Sequence, residues 1–477
     1  MKMLDNFGIV KKASFVSLSR IVNLLGLLII TIILARYFSK SEFASYDQLW
    51  LIFNTITPII SFAFTSSIYF FGARDNAVEY ITNIFLTLLT AGAILTLSLF
   101  LLKAEISSLF NNVLFAKNFP YFAPFLLFSI PSLILDAILV LKSEFKKLLL
   151  VSSITISFYF LTVIFCVLLK KDTSFIFAGL STIAFGRLIY TAYMIKNFNE
   201  KKSRFKFSIS TLSEITSYTI PLMLGHISAS LSRQVDKYII ASNFNTELYA
   251  TYTIAAKELP IVPVITSSFI AVVLPEISKL HKVGKNSEIA KLLNDVVKST
   301  SILIIPTFVY LMLFSKEFIL VLFSDKYIGS VPIFRVYLFF LLTRVLVFSP
   351  VLSSLGRQKV YMFVSLFDLI LNVLLGLVFV KLFGLLGPAI AVVTSTYFEA
   401  ILMLFFISRA LNRISLSQIL PFNFIFKIFI FSLVSALISF FIGKLFEDLI
   451  LKFILSAISF AIIYFLTLRL WSLMFKI

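Results

Sequence analysis

Long apolar segments separated by short polar ones recur along the whole chain. Runs such as 24–34, 84–102 and 454–470 approach or reach the ~20 residues needed to cross the hydrocarbon of a bilayer. Spanning segments must satisfy their own backbone hydrogen bonds, so only helices or a closed barrel can cross, and a barrel would show alternating segments of ~10 residues. These runs are continuous. The pattern therefore predicts an all-α polytopic membrane protein.

The apolar runs and the breaks between them predict about fourteen transmembrane helices. They lie near 14–36, 44–69, 81–102, 119–141, 148–169, 174–196, 214–240, 248–275, 299–315, 331–355, 359–380, 387–408, 423–443 and 449–470.

Short sequence matches indicate an internal repeat. The segment 17–20, Ser-Leu-Ser-Arg, recurs at 230–233, and the turn at 42–46 resembles that at 247–252. Both matches fall at equivalent spans of a six-plus-six division, which favours a parallel pseudo-repeat. We expect an N-terminal six-helix lobe with its linker over 1–206, a C-terminal six-helix lobe over 207–412, and two additional transmembrane helices over 413–477.

Composition agrees with a membrane protein and argues against a nucleic-acid partner. The 477 residues are 60% hydrophobic, and the formal net charge is +19. The Lys and Arg residues are scattered between apolar runs, whereas nucleic-acid binding would favour one basic domain. They are concentrated in alternate loops, and the positive-inside rule then places both termini in the cytoplasm.

One basic connection, 277–298, has apolar residues at helical spacing. Ile289, Leu292, Leu293 and Val296 would share a face of a helix. The spacing fits a helix lying flat in the membrane interface and equally fits an ordinary solvated linker helix.

Ionisable groups inside the predicted spans are mostly cationic, and each costs at least ~2.5–3.5 kcal/mol at the centre of a membrane helix. In the seventh span, Arg233, Asp236 and Lys237 stand at i, i+3 and i+4, which places them on one face of a continuous helix. One carboxylate cannot neutralise two cations, so this face predicts an anion site; a structural ion pair with snorkelling is the alternative. The candidate substrate-binding residues are Arg20, Arg187, Arg233, Lys237, Lys257 and Arg344.

Two further features bear on the site. Lys257 and Glu258 precede Pro260 and Pro263, where a proline-broken helix would free backbone carbonyls.

Arg335 and Arg344 are nine residues apart and would lie on opposite faces of a straight helix; Arg344 is the deeper. The candidates for ion coupling are Asp236, Asp368 and Asn372, with structural hydrogen bonding as the alternative for each.

The sequence does not predict an enzyme. We find no Gly-rich phosphate loop, His/Cys metal cluster or nucleophile motif, and connections such as 39–42 are too short to build an active site outside the bilayer. We therefore expect no catalytic residues, no metal and no cofactor.

Several of these features together resemble the O-antigen type of polysaccharide flippase, within the multidrug/oligosaccharidyl-lipid/polysaccharide exporter superfamily. The features are Arg20, the turn at 42–46, Pro221 with the Asp236 helix, the segment 356–359 followed by Asn372, and the turn at 384–389. The resemblance implies a V-shaped pair of six-helix lobes around a cationic cavity. It further implies that the cavity takes an undecaprenyl-pyrophosphate-linked oligosaccharide and moves it across the bacterial inner membrane by ion-coupled alternating access.

Carried onto this chain, the resemblance makes Arg20, Arg233, Lys237 and Lys257 ligand contacts and gives the last two spans a groove for the polyprenyl tail. The expected partners are the lipid-linked oligosaccharide, membrane lipid and a polysaccharide polymerase. A multidrug or cation antiporter of the same superfamily is the alternative, and a membrane scaffold for glycan-assembly enzymes is a third interpretation.

Overall fold

The computed structural model describes residues 2–72, 74, 76–198, 208–259, 261–345 and 348–475. Over these residues the secondary structure is helical, and no strand is present. Within the described residues, ten helical stretches are long and apolar enough to cross a membrane, and one of them, 358–410, holds two helices. The all-α, polytopic membrane fold predicted from the sequence is confirmed.

The chain divides into two compact units, Met1–Ala250 and Thr251–Ile477. The first contains α1 Lys2–Tyr37, α2 Lys40–Phe71, α3 Ala77–Leu101, α4 Lys103–Leu109, α5 Val113–Ser132, α6 Leu135–Leu141, α7 Phe145–Leu168, α8 Thr173–Lys196, α9 Ile209–Ser232, α10 Val235–Asn243 and the start of α11 Thr246–Ala255. The second contains α12 Ile261–Lys282, α13 Asn286–Leu313, α14 Ser315–Phe323, α15 Ser330–Thr343, α16 Phe348–Ser354, α17 Gln358–Phe383, α18 Gly387–Ala410, α19 Leu416–Ile419, α20 Phe422–Gly443 and α21 Leu449–Phe475.

Helices lie at every predicted span in the described part of the chain, but some spans are interrupted. The fourth span is divided into α5 and α6, the seventh into α9 and α10, the eighth into α11 and α12, and the tenth into α15 and α16. An interrupted helix exposes backbone groups that lipid cannot satisfy, so such breaks persist where protein or water supplies partners.

In the first unit, α5 packs on α8 and α1 packs on α7. Small residues allow the close approach of α1 and α7, since a Cβ on Gly26 would clash with the Ile156 side chain. Between α2, α5 and α8, the buried Asn118 amide donates to Ser45 Oγ at 2.9 Å and to Thr173 Oγ1 at 2.8 Å. These hydrogen bonds hold α2, α5 and α8 together, and α8 carries Arg187.

In the second unit, α17 and α18 form a tight hairpin, and α20 and α21 pack on each other and on α13. The hairpin turns at Gly384, whose φ of +56° favours glycine. The Lys452 ammonium on α21 donates to Glu317 Oε1 on α14 at 2.8 Å, in a pair whose side chains are 24% and 11% exposed.

The connection 277–298 does not lie flat on a membrane surface. Asn286–Leu313 is one continuous helix, and Ile289, Leu293 and Val296 are buried in a core cluster with Leu411 and Ile419. The interfacial interpretation was therefore wrong, because protein rather than lipid covers this apolar face.

The proposed division at 206 and 412 stays a prediction. The first of these boundaries falls in 199–207, which lies outside the described residues.

Candidate functional site

A charged cluster lies in the first unit, around Asp136. The Arg187 guanidinium lies 3.2 Å from Asp136 Oδ1, and its other terminal nitrogen is 3.5 Å from Thr155 Oγ1. Arg20 and Asp136 both lie within electrostatic range of the Tyr69 hydroxyl. The close contact here is the ion pair between Arg187 and Asp136, and Arg20 is a second guanidinium in the region of Tyr69.

The break between α5 and α6 positions Asp136. Pro131 has no backbone N–H to donate, and α5 ends one residue later, at Ser132. Asp136 then stands in the first turn of α6, where the partial positive charge of a helix N-terminus favours a carboxylate. The carboxylate is held toward Arg187 on α8, which packs on α6.

A second group of charges lies at the break between α9 and α10. Gln234, with φ −121° and ψ −10°, interrupts the helix. Arg233 is exposed, whereas Asp236 is 1% exposed. The Lys237 ammonium donates to the Arg233 carbonyl at 3.2 Å and to Gln234 Oε1 at 3.1 Å, and lies 3.9 Å from Asp236 Oδ1. The expectation that these three charges share one helical face was wrong, because the backbone is not continuous there.

In the second unit, two helix breaks meet. The eighth span is interrupted between Ala255 and Ile261, as the prolines predicted, and this leaves Lys257 and Glu258 in the gap. Arg344 follows the last residue of α15 and lies 3.6 Å from Glu258 Oε1, with its guanidinium 4.3 Å from the centre of the Phe340 ring. The Val345 carbonyl accepts a hydrogen bond from Thr300 Oγ1 at 2.7 Å, so α13 satisfies a backbone group near the break.

The break after α15 lies beyond both arginines of the tenth span. Arg344 directly follows Thr343, the last residue of α15, and its backbone is still in the right-handed helical region, so the placement of Arg335 and Arg344 on opposite faces stays a prediction. Arg335 Nε donates to Ser315 Oγ at 2.7 Å. Asp368 and Asn372 are buried one turn apart on the continuous helix α17, so they share a face.

Sequence reasoning missed several polar neighbours of these charges. Tyr69, Thr155 and Thr300 were not identified, since a Tyr or Thr in an apolar run is too common to stand out. Asp136 had no assigned role, although an acid inside an apolar run was itself a signal. The roles of the candidate ligand and ion-coupling residues stay predictions.

Comparison with known families identifies one matching model. The model for polysaccharide biosynthesis protein matches residues 33–332.

Two curated relatives match parts of the chain. An uncharacterized membrane protein of Methanocaldococcus jannaschii, MJ1068, is 24% identical over 58% of this chain. The capsular polysaccharide biosynthesis protein CapF of Staphylococcus aureus is 25% identical over 50% of this chain. The chain spans 55% and 60% of the lengths of these two relatives.

Among solved structures, the fold is similar to that of the lipid II flippase MurJ in its inward closed conformation. The TM-score is 0.76, and the match covers 98% of this chain and 100% of the other at 15% identity. At that identity the likeness concerns the fold.

Proposed function

Because the chain belongs to the polysaccharide biosynthesis protein family, we propose that it is a flippase for undecaprenyl-pyrophosphate-linked oligosaccharide. It moves an O-antigen or capsule repeat unit from the cytoplasmic to the outer leaflet of the bacterial inner membrane. Alternating access, driven by an ion gradient, carries the polar head group past the hydrocarbon.

The observation that carries this proposal is the excess of positive charge around Asp136. Arg20 and Arg187 contribute two guanidinium groups where the described cluster has one carboxylate. Charges at membrane depth cost at least ~2.5–3.5 kcal/mol each, so an excess of one sign calls for an opposite charge. A pyrophosphate fits, because a planar guanidinium can bind phosphate oxygens through two parallel hydrogen bonds.

The helix breaks hold the other candidate substrate-binding cations of each unit. Lys257 and Arg344 stand at the two breaks that meet in the second unit, and Arg233 and Lys237 stand at the break between α9 and α10. Pyrophosphate and sugar hydroxyls would use these side chains and the backbone groups that the breaks release. Asp236, Asp368 and Asn372, all buried, are the proposed ion-coupling residues.

The proposed orientation puts both termini in the cytoplasm, where the repeat unit is loaded. A polysaccharide polymerase would consume the transported unit on the opposite side, and association with it is part of the proposal.

Proteoliposomes that contain the purified chain and a fluorescent undecaprenyl-pyrophosphate oligosaccharide test the function. Arg20→Ala and Arg187→Ala should each slow translocation about ten- to hundredfold, because a hydrogen bond to a charged group is worth about 1.5–3 kcal/mol. Arg409→Ala, which removes an exposed arginine in the last turn of α18, is the matched control and should retain activity.

Other outcomes would contradict the proposal. Normal glycan transport by both cluster variants, together with extrusion of a cationic dye by the wild type, would support the multidrug alternative. A wild-type protein that moves neither substrate would support a scaffold for glycan assembly.

A further inference from the structure

A groove lies between α7 and α8 in the first unit. The two helices are in close contact near the turn that joins them, where a Cβ on Gly179 would clash with the Thr162 side chain. Toward the other end they separate, and a Cβ on Gly186 would meet no atom within 4 Å. The opening between them has a volume of about 480 Å³. It is a wedge, closed at one end and open at the other.

The walls of the groove are apolar along most of their length. Leu150, Ile154 and Phe158 line it from α7, with exposed fractions of 57%, 48% and 57%. The twelve residues from Lys147 to Phe158 cover about 16 Å of helix axis. This is close to half of the ~30 Å hydrocarbon thickness, so the groove has the length of an acyl chain in one leaflet.

The open end of the groove is basic. Lys147 and Tyr190 line it from opposite helices, and Tyr190 is within electrostatic range of the Lys147 ammonium. Glu144 lies 3.0 Å from that ammonium, in a pair whose lysine side chain is 55% exposed. The other cations where α7 begins and α8 ends are Lys142, Lys146 and Lys196. This end therefore carries a net positive charge that one carboxylate does not balance.

We propose that the groove binds an anionic phospholipid, with one acyl chain between α7 and α8 and the phosphate beside Lys147 and Tyr190. The apolar length and the cationic end together match the two parts of such a lipid, whereas a free phosphate would leave the apolar walls uncovered. An undecaprenyl chain is far longer than the ~16 Å of groove. Arg187 and Thr155 of the charged cluster also line the groove, so the lipid site borders the head-group site of the proposed function, but its occupant is a membrane lipid and not the repeat unit.

Native mass spectrometry of the full-length chain tests the site. The probes are phosphatidylglycerol and phosphatidylcholine with identical acyl chains. The wild type should retain one phosphatidylglycerol with at least about a tenfold preference over phosphatidylcholine. Lys147→Gln should reduce that preference, because the phosphate loses the cation that lines the groove.

Gly186→Phe should fill the groove and reduce retention of phosphatidylglycerol about tenfold. Thr182→Leu, one turn earlier on the groove wall, is a second filling variant and guards against a folding defect in the first. Ile189→Phe is the matched control, since Ile189 is 55% exposed on the same helix but does not line the groove. Size-exclusion profiles establish that the three variants fold alike.

Equal retention by the wild type and both filling variants would overturn the proposal, as would equal affinity of the wild type for the two lipids. Displacement of phosphatidylglycerol by equimolar undecaprenyl phosphate would also overturn it, because the groove would then hold the transported lipid.

Discussion

At the scale of single residues, ion pairs in this chain differ in how much of their charge is already satisfied. Arg187 and Asp136 belong to a cluster with a second guanidinium nearby, and Asp136 remains half exposed. Lys452 and Glu317 are a closed pair, more buried and shorter at 2.8 Å. The Arg187 and Asp136 pair suits a ligand that binds and dissociates. The Lys452 and Glu317 pair suits a permanent contact between α14 and α21.

The Lys452 and Glu317 pair should therefore stabilise the packing of α14 against α21. Glu317→Gln is expected to lower the thermal unfolding temperature, because a partly buried ammonium loses its counter-ion at a cost of about 1–3 kcal/mol. The reversed pair, Glu317→Lys with Lys452→Glu, should recover part of that loss. Thermal unfolding in detergent measures both effects, and a double-mutant cycle without coupling would show that the two charges do not stabilise each other.

At the scale of elements, interrupted helices remain stable because neighbours satisfy the released backbone groups. The hydrogen bond from Thr300 on α13 to the Val345 carbonyl is the clearest example. Thr300→Val should cost about 1–3 kcal/mol, since the isosteric side chain leaves that buried carbonyl without a partner.

Thr307→Val provides the control on the same helix. The Thr307 hydroxyl donates to the Leu303 carbonyl at 2.7 Å, a bond within α13 itself. Its replacement should change the unfolding temperature little. Equal losses from the two substitutions would mean that the bond to Val345 has no special role.

Some of these helix breaks could be predicted from the sequence, and others could not. Pro260 and Pro263 predicted the interruption of the eighth span, because proline removes a donor and clashes with the preceding turn. No proline or glycine lies at 231–236, so the gap between α9 and α10 had no local signal, and tertiary packing decides it. The spacing of apolar residues likewise predicted the apolar face at Ile289 and Leu293. It could not show whether lipid or protein packs against that face.

At the scale of the whole molecule, the distribution of charged loops predicts a topology that can be measured. We expect an impermeant maleimide to label Lys117→Cys but not Lys285→Cys in intact cells, because the positive-inside rule places these loops on opposite sides. The lysine side chains are 60% and 55% exposed, so a cysteine at either position should be reachable from its own side.

Cys166 is the only cysteine in the chain and is fully buried, so Cys166→Ser provides the background for this experiment. Both new cysteines should react after permeabilisation. Labelling of Lys285→Cys alone in intact cells would invert the predicted orientation.

The length of α13 has a consequence for how the second unit is assembled. Its 28 residues reach about 42 Å, roughly 12 Å more than the hydrocarbon is thick. The surplus turns pack in one core cluster with Ile277 on α12, which precedes α13, and with Leu411 and Ile419, more than a hundred residues later in the chain. The cover of this apolar face is therefore completed only when residue 419 has been synthesised, and the short helix α19 closes the core of the second unit late in synthesis.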